Sequence, residues 1–310
     1  MQDRGVLSRP SSLRFRLLFV AALVCGAFKP SVRPDQRNAI LISWDGALRE
    51  HIHADLAQGK LPNLARLVER GSLVDIDVVG HQTDTKAGHA QMLTGYDPKL
   101  TGVYSNGNYR PVPRGYTLFE RLHQTFGRDG ITTIMLTGKD HNLGSQSAGL
   151  IRGADPYYFS RAGITVWDGD QIRPAAVVGP KAVRYIEHFA GKRFFLFVHL
   201  PDVDANGHAH GEGSAEYDRA LVECDRWLGA ILDVLARQGI EDRTAVYVTA
   251  DHGFEVGAKQ HGSAPHIILG SNPPGLHGGQ QRDVAPTVLA GMGVDVSKIA
   301  PALAGRPLDR

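Results

Sequence analysis

Aspartate and histidine stand beside glycine in four separate segments of the chain. The segments are WDG at residues 44–46, PDVDANGHAHG at 201–211, ADHGF at 250–254 and KQHGS at 259–263. Carboxylates and imidazoles together suit zinc or a similar divalent ion, and glycine lets the backbone turn tightly around it. A lone Asp-Gly pair is usually a turn and a lone histidine is usually structural, so each segment alone is weak evidence. The four segments together predict a metal centre.

A fifth segment, TDTKAGHAQMLTGYDP at residues 83–98, places Thr85 just before an apolar stretch that predicts a helix from about Ala87. Thr85 is therefore either a helix cap on a surface loop or a nucleophile. The N-terminus of a helix favours an anion, and a hydroxyl bound to a metal ion loses its proton easily. Two ions about 4 Å apart can also hold the attacking and leaving oxygens of a displacement at phosphorus. The predicted metal centre thus favours the nucleophile.

Short runs of β-branched and aliphatic residues alternate with helical patterns along the chain. The predicted strands cover residues 38–44, 73–80, 131–138, 193–200 and 244–250, and the clearest predicted helices cover 61–71 and 215–239. This alternation predicts an α/β fold with a doubly wound, mostly parallel sheet sandwiched between helices.

Polar residues suited to catalysis follow the ends of the predicted strands. Asp45, Lys139, Asp204 and Asp251 each come directly after a strand or within a few residues of its end. Doubly wound sheets bind their ligands beyond the carboxyl ends of the strands. The pattern therefore predicts that these residues, although distant in sequence, lie together at one rim of the sheet.

The composition is that of a globular protein, because 42% of the 310 residues are hydrophobic and 21% are charged. A formal net charge of +2 gives no basic field of the kind that binds nucleic acid, so we expect no nucleic-acid partner. Residues 38–310 show no repeat or linker in their sequence and are predicted to form a single catalytic domain.

The N-terminal residues differ from the rest of the chain. Arginines between Arg4 and Arg16 precede an uncharged run at residues 17–28. This pattern is typical of a secretory signal and is short for a membrane span of about 20 residues. We predict a signal peptide at residues 1–27, with an uncleaved membrane anchor as the alternative. The protein is then exported to the periplasm or the extracellular space, and it contacts a membrane only if the segment remains.

The order of the motifs resembles that of the alkaline phosphatase superfamily. The chain presents Asp-Gly at 45–46, Thr-x-x-Gly-His at 85–89, Asp-x-x-Gly-His at 204–208, Asp-His-Gly at 251–253 and His-Gly at 261–262. Within the superfamily it is most similar to the branch of nucleotide pyrophosphatase/phosphodiesterases and threonine-dependent phosphatases, from about residue 38 to the C-terminus. The resemblance implies hydrolysis of phosphoric esters with two divalent ions, zinc first and manganese or iron as alternatives.

The resemblance also implies which residues hold the ions. The first set is Asp45, Thr85, Asp251 and His252, and the second set is Asp204, His208 and His261. Asp202 competes with Asp204 for a place in the second set. The family's spacing of four residues between aspartate and histidine selects Asp204 with His208 and leaves Asp202 beside the ligands.

Three other histidines are weighed against His261. His261 fits the family position soon after Asp-His-Gly, and His277 in GLHGG is the reserve candidate for that place. His210 and His266 are expected either to lie beside the ligands or to be structural.

Three further residues are implied to contact the substrate. Residues 101–109 resemble the family segment whose asparagine contacts a phosphoryl oxygen, here Asn106, although Thr101 replaces the family's usual histidine. An amide N–H there would stabilise charge on that oxygen. Lys139 and His141 correspond to two cationic residues that contact the transferred group. They would neutralise the doubly charged end of a phosphomonoester or a phosphonate and so favour monoesters, unless Lys139 is simply a solvated charge.

The sequence therefore predicts an exported, metal-dependent phosphoric ester hydrolase that acts on a small phosphorylated substrate through a covalent phosphothreonine at Thr85. A phosphodiesterase or nucleotide pyrophosphatase, a phosphonate hydrolase and a phosphotransferase are alternatives that use the same site. A non-catalytic metal-binding protein is ranked last. The segment TDTKAGH lacks the Cys-x-Pro-x-Arg context of a formylglycine sulfatase.

Overall fold

The computed structural model describes residues 38–144, 158–159, 161–169 and 171–309. The signal peptide predicted for residues 1–27 lies outside these residues and stays a prediction, as does the single domain predicted for residues 38–310. No helix within the described residues is long and apolar enough to cross a lipid bilayer.

A mixed sheet forms the centre of the described part of the chain. Its strands there are β1 (Asn38–Trp44), β2 (Ser72–Asp77), β3 (Thr132–Thr137), β4 (Val166–Asp168), β5 (Phe194–Leu200), β6 (Thr244–Thr249), β7 (His266–Ser271) and β8 (Gly279–Gln280). Their spatial order is β4-β3-β5-β1-β6-β7-β2-β8. Strand β1 runs parallel to β5 and β6, β3 runs parallel to β4 and β5, and β2 runs parallel to β8. Only β7, among these strands, runs antiparallel to its neighbours β6 and β2.

Helices flank the sheet. In the described residues they are α1 (Arg49–Ala57), α2 (Pro62–Val68), α3 (Thr85–Thr94), α4 (Pro98–Thr101), α5 (Leu118–Phe126), α6 (Asp140–Leu143), α7 (Ala175–Phe189), α8 (Asp202–His210), α9 (Ala215–Arg237) and α10 (Val284–Gly291). Short 3₁₀ turns cover Glu241–Arg243, Gln281–Asp283 and Val296–Lys298.

The three central strands carry the core. Every residue of β1, β5 and β6 is buried, as expected for parallel strands that are covered on both faces. The long helix α9 packs its apolar face against α2, α7 and α8. From that helix the Tyr217 hydroxyl donates to the carbonyl of Gly46 at 2.7 Å and accepts from the N–H of Leu48 at 2.9 Å. These two hydrogen bonds hold the turn after β1, where Asp45 lies.

The predicted α/β fold with a mostly parallel sheet is confirmed. All five predicted strands are present, although β2 ends at Asp77 and not at residue 80, and α3 begins at Thr85 and not near Ala87. Strands β4 and β8 were not predicted because three and two residues are too short to show a pattern. Strand β7 was also missed. It follows β6 through a loop without a crossover helix, and such a connection permits the antiparallel direction.

Candidate metal centre

The carboxyl ends of β1, β5 and β6 bring the predicted site residues together. Asp45 follows β1, Asp204 lies in the first turn of α8 after β5, and Asp251 and His252 follow β6. Because these three strands are adjacent and parallel, their ends meet at one rim of the sheet. Thr85 begins α3 close by, since Gly88 of that helix approaches the backbone of Asp251.

Asp204, His208 and His261 form one group of potential metal ligands. The Nε2 atom of His208 is 3.3 Å from Asp204 Oδ1, that of His261 is 3.4 Å from the same oxygen, and the two nitrogens are 3.0 Å apart. A tetrahedral ion with bonds of about 2.0–2.1 Å holds its ligand atoms about 3.3 Å apart. The three atoms therefore fit one face of a zinc coordination sphere.

A second group consists of Asp45, Asp204 and His252, and all three are buried. The Nε2 atom of His252 is 3.5 Å from Asp45 Oδ1 and 3.5 Å from Asp251 Oδ2. Asp45 Oδ1, Asp204 Oδ1, Asp251 Oδ2 and His252 Nε2 are buried and have no hydrogen-bond partner within the described residues. Buried polar atoms normally have partners. A convergent set of unpaired ligand atoms is the arrangement that a bound cation satisfies.

The three candidate histidines are held in the tautomer that a metal requires. His208 Nδ1 lies 2.9 Å from the carbonyl of Lys259, His261 Nδ1 lies 2.7 Å from that of Thr83, and His252 Nδ1 lies 2.9 Å from that of Gly253. A carbonyl only accepts, so in each ring Nδ1 carries the proton and donates. This leaves the Nε2 lone pair free to face the carboxylates.

Two further histidines support the carboxylates and were not assigned a role from the sequence. His199 Nε2 lies 2.9 Å from Asp45 Oδ2. His89 Nδ1 lies 2.7 Å from the carbonyl of Thr85 and 3.3 Å from Asp251 Oδ2. The available signals were the histidine that closes the Thr-x-x-Gly-His motif and a histidine within the buried run FFLFVHL.

Two glycines allow the close approaches around the site. A Cβ on Gly88 would lie 2.9 Å from the carbonyl carbon of Asp251, so only glycine lets α3 approach the end of β6. Gly46 has a φ of +74° and a Cβ there would lie 2.8 Å from the Phe254 ring. That ring in turn packs edge-on against the imidazoles of His208 and His261.

Thr85 is 2% exposed and is the first residue of α3. The cap of the helix is Asp84, whose Oδ1 accepts from the Ala87 N–H at 3.4 Å and whose Oδ2 accepts from the Asn106 N–H at 2.6 Å. Asn106 Oδ1 accepts from the Lys86 N–H at 2.8 Å. Asn106 is thereby held beside Thr85 with its side-chain NH₂ as the remaining donor.

Lys139 is buried and contacts the carboxylates of both ligand groups. Its ammonium lies 2.7 Å from Asp45 Oδ2 and donates a hydrogen bond to Asp204 Oδ2. It is therefore not a solvated charge, and its ammonium faces ligand carboxylates, whereas the sequence implied a contact with the transferred group. His141 is largely exposed. The partial loss of water around its ring, together with the charges of Lys139 and Lys86, lowers its pKa.

The centre holds ionised carboxylates. Burial and the neighbouring Asp251 act to raise the pKa of Asp45, but Lys139 and His199 outweigh them and hold it at about 2. Burial also acts to raise the pKa of Asp251, whereas His252 and His89 bring it far below its usual range. Both carboxylates are therefore negatively charged near neutral pH and attract cations.

The remaining candidates lie outside the two ligand groups. Asp202 caps α7 by accepting from the Ala175 N–H at 2.6 Å. His266 is exposed and contacts Arg49 and Asp77. His277 and His210 are exposed. The structure thus brings His261, and not His277, together with Asp204 and His208.

Most of the chain is similar to one known protein family. The family model described as type I phosphodiesterase / nucleotide pyrophosphatase matches residues 39–264. An uncharacterized pyrophosphatase/phosphodiesterase of Schizosaccharomyces pombe is 23% identical over 249 residues, which are 75% of this chain and 48% of that protein. The bis(5'-adenosyl)-triphosphatase of Homo sapiens is 21% identical over 246 residues, 77% of this chain and 52% of that protein. The chain thus spans about half the length of these relatives.

Solved structures share the fold. A phosphonate monoester hydrolase from Silicibacter pomeroyi matches with a TM-score of 0.63 and 17% identity, over 87% of this chain and 75% of that one. The lipoteichoic acid synthase LtaP from Listeria monocytogenes matches with a TM-score of 0.61 and 15% identity, over 89% of this chain and 76% of that one.

Proposed function

Because the chain belongs to the type I phosphodiesterase / nucleotide pyrophosphatase family, within the alkaline phosphatase superfamily, we propose that it hydrolyses phosphoric esters at the candidate metal centre. One observation carries the proposal. Ligand atoms from four separate segments converge beside Thr85, and three histidines turn Nε2 towards buried carboxylates. The proposed substrate is a small phosphorylated molecule.

Seven residues would hold two divalent ions, zinc first and manganese or iron as alternatives: Asp45, Thr85, Asp251 and His252 the first, and Asp204, His208 and His261 the second. When bound there, such ions would supply positive charge to the phosphoryl oxygens and lower the pKa of a hydroxyl group. The orphaned, buried ligand atoms of Asp45, Asp251 and His252 support the first site.

The Thr85 hydroxyl is the proposed nucleophile. Its oxygen bonds to phosphorus while the bond from phosphorus to the leaving oxygen breaks, and the hydroxyl proton passes to water. Water then attacks the phosphothreonine, breaks its bond to the Thr85 oxygen and restores the hydroxyl. The position of Thr85 at the start of α3 suits this role because the helix dipole favours the added negative charge. The Asn106 NH₂ would donate to a non-bridging oxygen.

Phosphodiesters and molecules that contain a pyrophosphate (phosphoanhydride) bond are the proposed substrates. The preference for monoesters predicted from the sequence relied on Lys139, whose ammonium is engaged by Asp45 and Asp204. Family membership favours the diester. Phosphomonoesters are the second candidate, because His141 adds a basic group close to the centre.

The proposed function is tested with four p-nitrophenyl esters that share one coloured product: thymidine 5'-phosphate, phosphate, phenylphosphonate and sulfate esters. We expect the metal-loaded protein to cleave the thymidylate diester fastest and the sulfate slowest. Thr85→Ala should lower turnover by at least about 1,000-fold, while Thr94→Ala, a buried threonine at the other end of α3, should retain it. Full turnover by Thr85→Ala would refute the proposed nucleophilic role of Thr85.

Two separate measurements test the covalent phosphothreonine and the identity of the molecule that finally receives the phosphoryl group. Acid quenching during turnover should trap a mass increase on the peptide that contains Thr85 in the wild-type protein and not in Thr85→Ala. A phosphotransferase differs in its products, because an added alcohol would then receive the phosphoryl group in place of water. Activity that survives complete chelation of metal would contradict the proposed metal centre.

A further inference from the structure

Lys86 is a buried cation that the proposed reaction leaves without a role. The residue is 6% exposed, and its ammonium lies 4.9 Å from the ring centroid of Tyr109 and 5.8 Å from that of Tyr158. It makes no ion pair with an acidic residue among the described residues. The other buried lysine, Lys139, contacts two carboxylates.

Asp84, the acid whose charge acts on this ammonium, has both oxygens engaged elsewhere. Both oxygens of Asp84 accept hydrogen bonds from backbone N–H groups, those of Ala87 and Asn106. Aromatic faces attract a cation but accept none of its three N–H groups as a carboxylate or a phosphate would. A buried charge without a hydrogen-bonded partner is unfavourable. The Lys86 ammonium is therefore held where an anion from outside the chain can accept its hydrogen bonds and balance its charge.

A second donor without a hydrogen-bond partner among the described residues lies beside Lys86. Tyr158 is fully buried and its hydroxyl has no hydrogen-bond partner within the described residues. Its ring packs edge-on against that of Tyr109, with centroids 5.7 Å apart. An ammonium and a phenol that both lack an acceptor in the described part of the chain are a matched pair for a group with several anionic oxygens.

The cluster of Lys86, Tyr109 and Tyr158 adjoins the proposed reacting group. Lys86 follows Thr85 directly, and its own N–H holds Asn106 through Oδ1. Tyr109 lies in the same loop as Asn106, which is closed by a bridge between Val103 and Tyr109. The Lys86 ammonium faces the two aromatic rings, whereas that of Lys139 contacts the ligand carboxylates. It can therefore contact a part of the substrate other than the phosphoryl group that those ligands surround.

We propose that Lys86, Tyr109 and Tyr158 form an anion subsite that binds a second negatively charged group of the substrate, beyond the phosphoryl group attacked by Thr85. This deepens the proposed function and rests on it. Lys86 supplies the charge, Tyr158 supplies a directional hydrogen bond, and Tyr109 forms a wall that keeps the lysine extended. The group that fits is the phosphate on the leaving side of a pyrophosphate bond. Lys86 then selects substrates by the charge of the leaving group.

The test compares two substrates that transfer the same thymidylyl group. Transfer from thymidine 5'-triphosphate expels pyrophosphate, a highly charged leaving group, whereas transfer from p-nitrophenyl thymidine 5'-phosphate expels p-nitrophenolate, which carries no phosphate. Lys86→Met keeps the length of the side chain and removes the charge. We expect it to lower the ratio of kcat/KM for the triphosphate to that for the phenyl ester by about 10- to 100-fold, the effect of one charge-assisted hydrogen bond. An equal loss on both substrates refutes the subsite.

Lys192→Met is the control for general loss of charge, because Lys192 is exposed in the loop before β5, at the amino-terminal end of a strand whose carboxyl end faces the site. It should leave the ratio unchanged. Thermal unfolding separates a structural role. The ligand-free Lys86→Met protein should unfold at the same temperature as wild type or a higher one, because an unpaired buried charge has been removed. A clear fall in that temperature would assign Lys86 to stability and overturn the proposal.

A binding measurement distinguishes failure of the subsite from failure of the proposed reaction. Thymidine 5'-(α,β-methylene)diphosphate, which resists cleavage, is titrated calorimetrically into metal-loaded Thr85→Ala with and without Lys86→Met. We expect Kd to rise by about 10- to 100-fold on loss of Lys86. If the wild-type protein cleaves neither of the two thymidylyl substrates, the proposed function fails. The calorimetric comparison of the two variants still tests the subsite in that case. Equal affinities, or no binding by either protein, overturn it.

Discussion

Replacing Lys139 by methionine tests whether its ammonium neutralises the buried carboxylates. The ammonium lies 2.7 Å from Asp45 Oδ2 and also binds Asp204 Oδ2, and the three side chains are 8%, 0% and 5% exposed. Removing one partner of a buried ion pair costs about 3–5 kcal/mol, because the remaining charge is left uncompensated. We expect a loss of this size in the free energy of unfolding of metal-free Lys139→Met. That loss is a large part of the roughly 5–15 kcal/mol typical of a folded domain.

The assay is urea unfolding at pH 7, once in a strong chelator and once with saturating zinc. A bound cation would supply the positive charge that Lys139 no longer provides, so the loss should be smaller in zinc than in chelator. The difference must appear as tighter zinc binding by the variant, about tenfold for each 1.4 kcal/mol, because ligand binding and stability are linked. Isothermal titration with zinc measures this second quantity independently.

Lys181→Met is the matched control. Lys181 pairs with both oxygens of Asp168 at 2.8 and 2.9 Å but is 30% exposed, and Arg173 remains on the same carboxylate. It should lower the free energy of unfolding by less than about 1 kcal/mol, with or without zinc. The reasoning is refuted if Lys139→Met costs no more than this control in chelator, or if its cost is the same in zinc.

Two further predictions concern packing and acid stability. Gly88→Ala would press a Cβ against the backbone of Asp251, so urea unfolding should show that the free energy of unfolding falls by about 1–3 kcal/mol. In the control Gly191→Ala the added Cβ meets nothing within 4 Å, and the free energy of unfolding should change by less than about 0.5 kcal/mol. Equal effects of the two substitutions would contradict the close approach of Gly88 to Asp251. Burial acts to raise the pKa of Asp168, but hydrogen bonds from Lys181 and Arg173 lower it. Its stabilising contribution is then fully present above the unfolded pKa of about 3.9 and is lost as pH falls through the lower folded pKa. The stability gap between wild type and Asp168→Asn should therefore narrow below about pH 4 in urea unfolding, and a gap independent of pH would be inconsistent with this pairing.

Much of the fold could be predicted because its signals are local. The central strands are continuous apolar runs, which parallel strands covered on both faces require. Asp204 and His208 are four residues apart, so any helix through them puts both on one face. Polar residues at the ends of adjacent parallel strands must meet at one rim. The apolar runs and the helical spacing depend on neighbours in sequence. The position of the polar residues after those runs was therefore enough to predict that the candidate ligands share one rim of the sheet.

The rest depended on contacts between residues far apart in the chain. Lys139 and Asp204 are 65 residues apart, and the sequence could assign the lysine to a phosphate as readily as to a carboxylate. The order of β3, β5 and β1 in the sheet decides that its ammonium reaches Asp45 and Asp204. That Lys86 has no acidic partner among the described residues likewise depends on contacts between distant segments, since its ammonium faces the rings of Tyr109 and Tyr158. Residue type and spacing determine which chemistry is available, whereas strand order and packing decide which charged groups face each other, because a charge is satisfied by its neighbours in space.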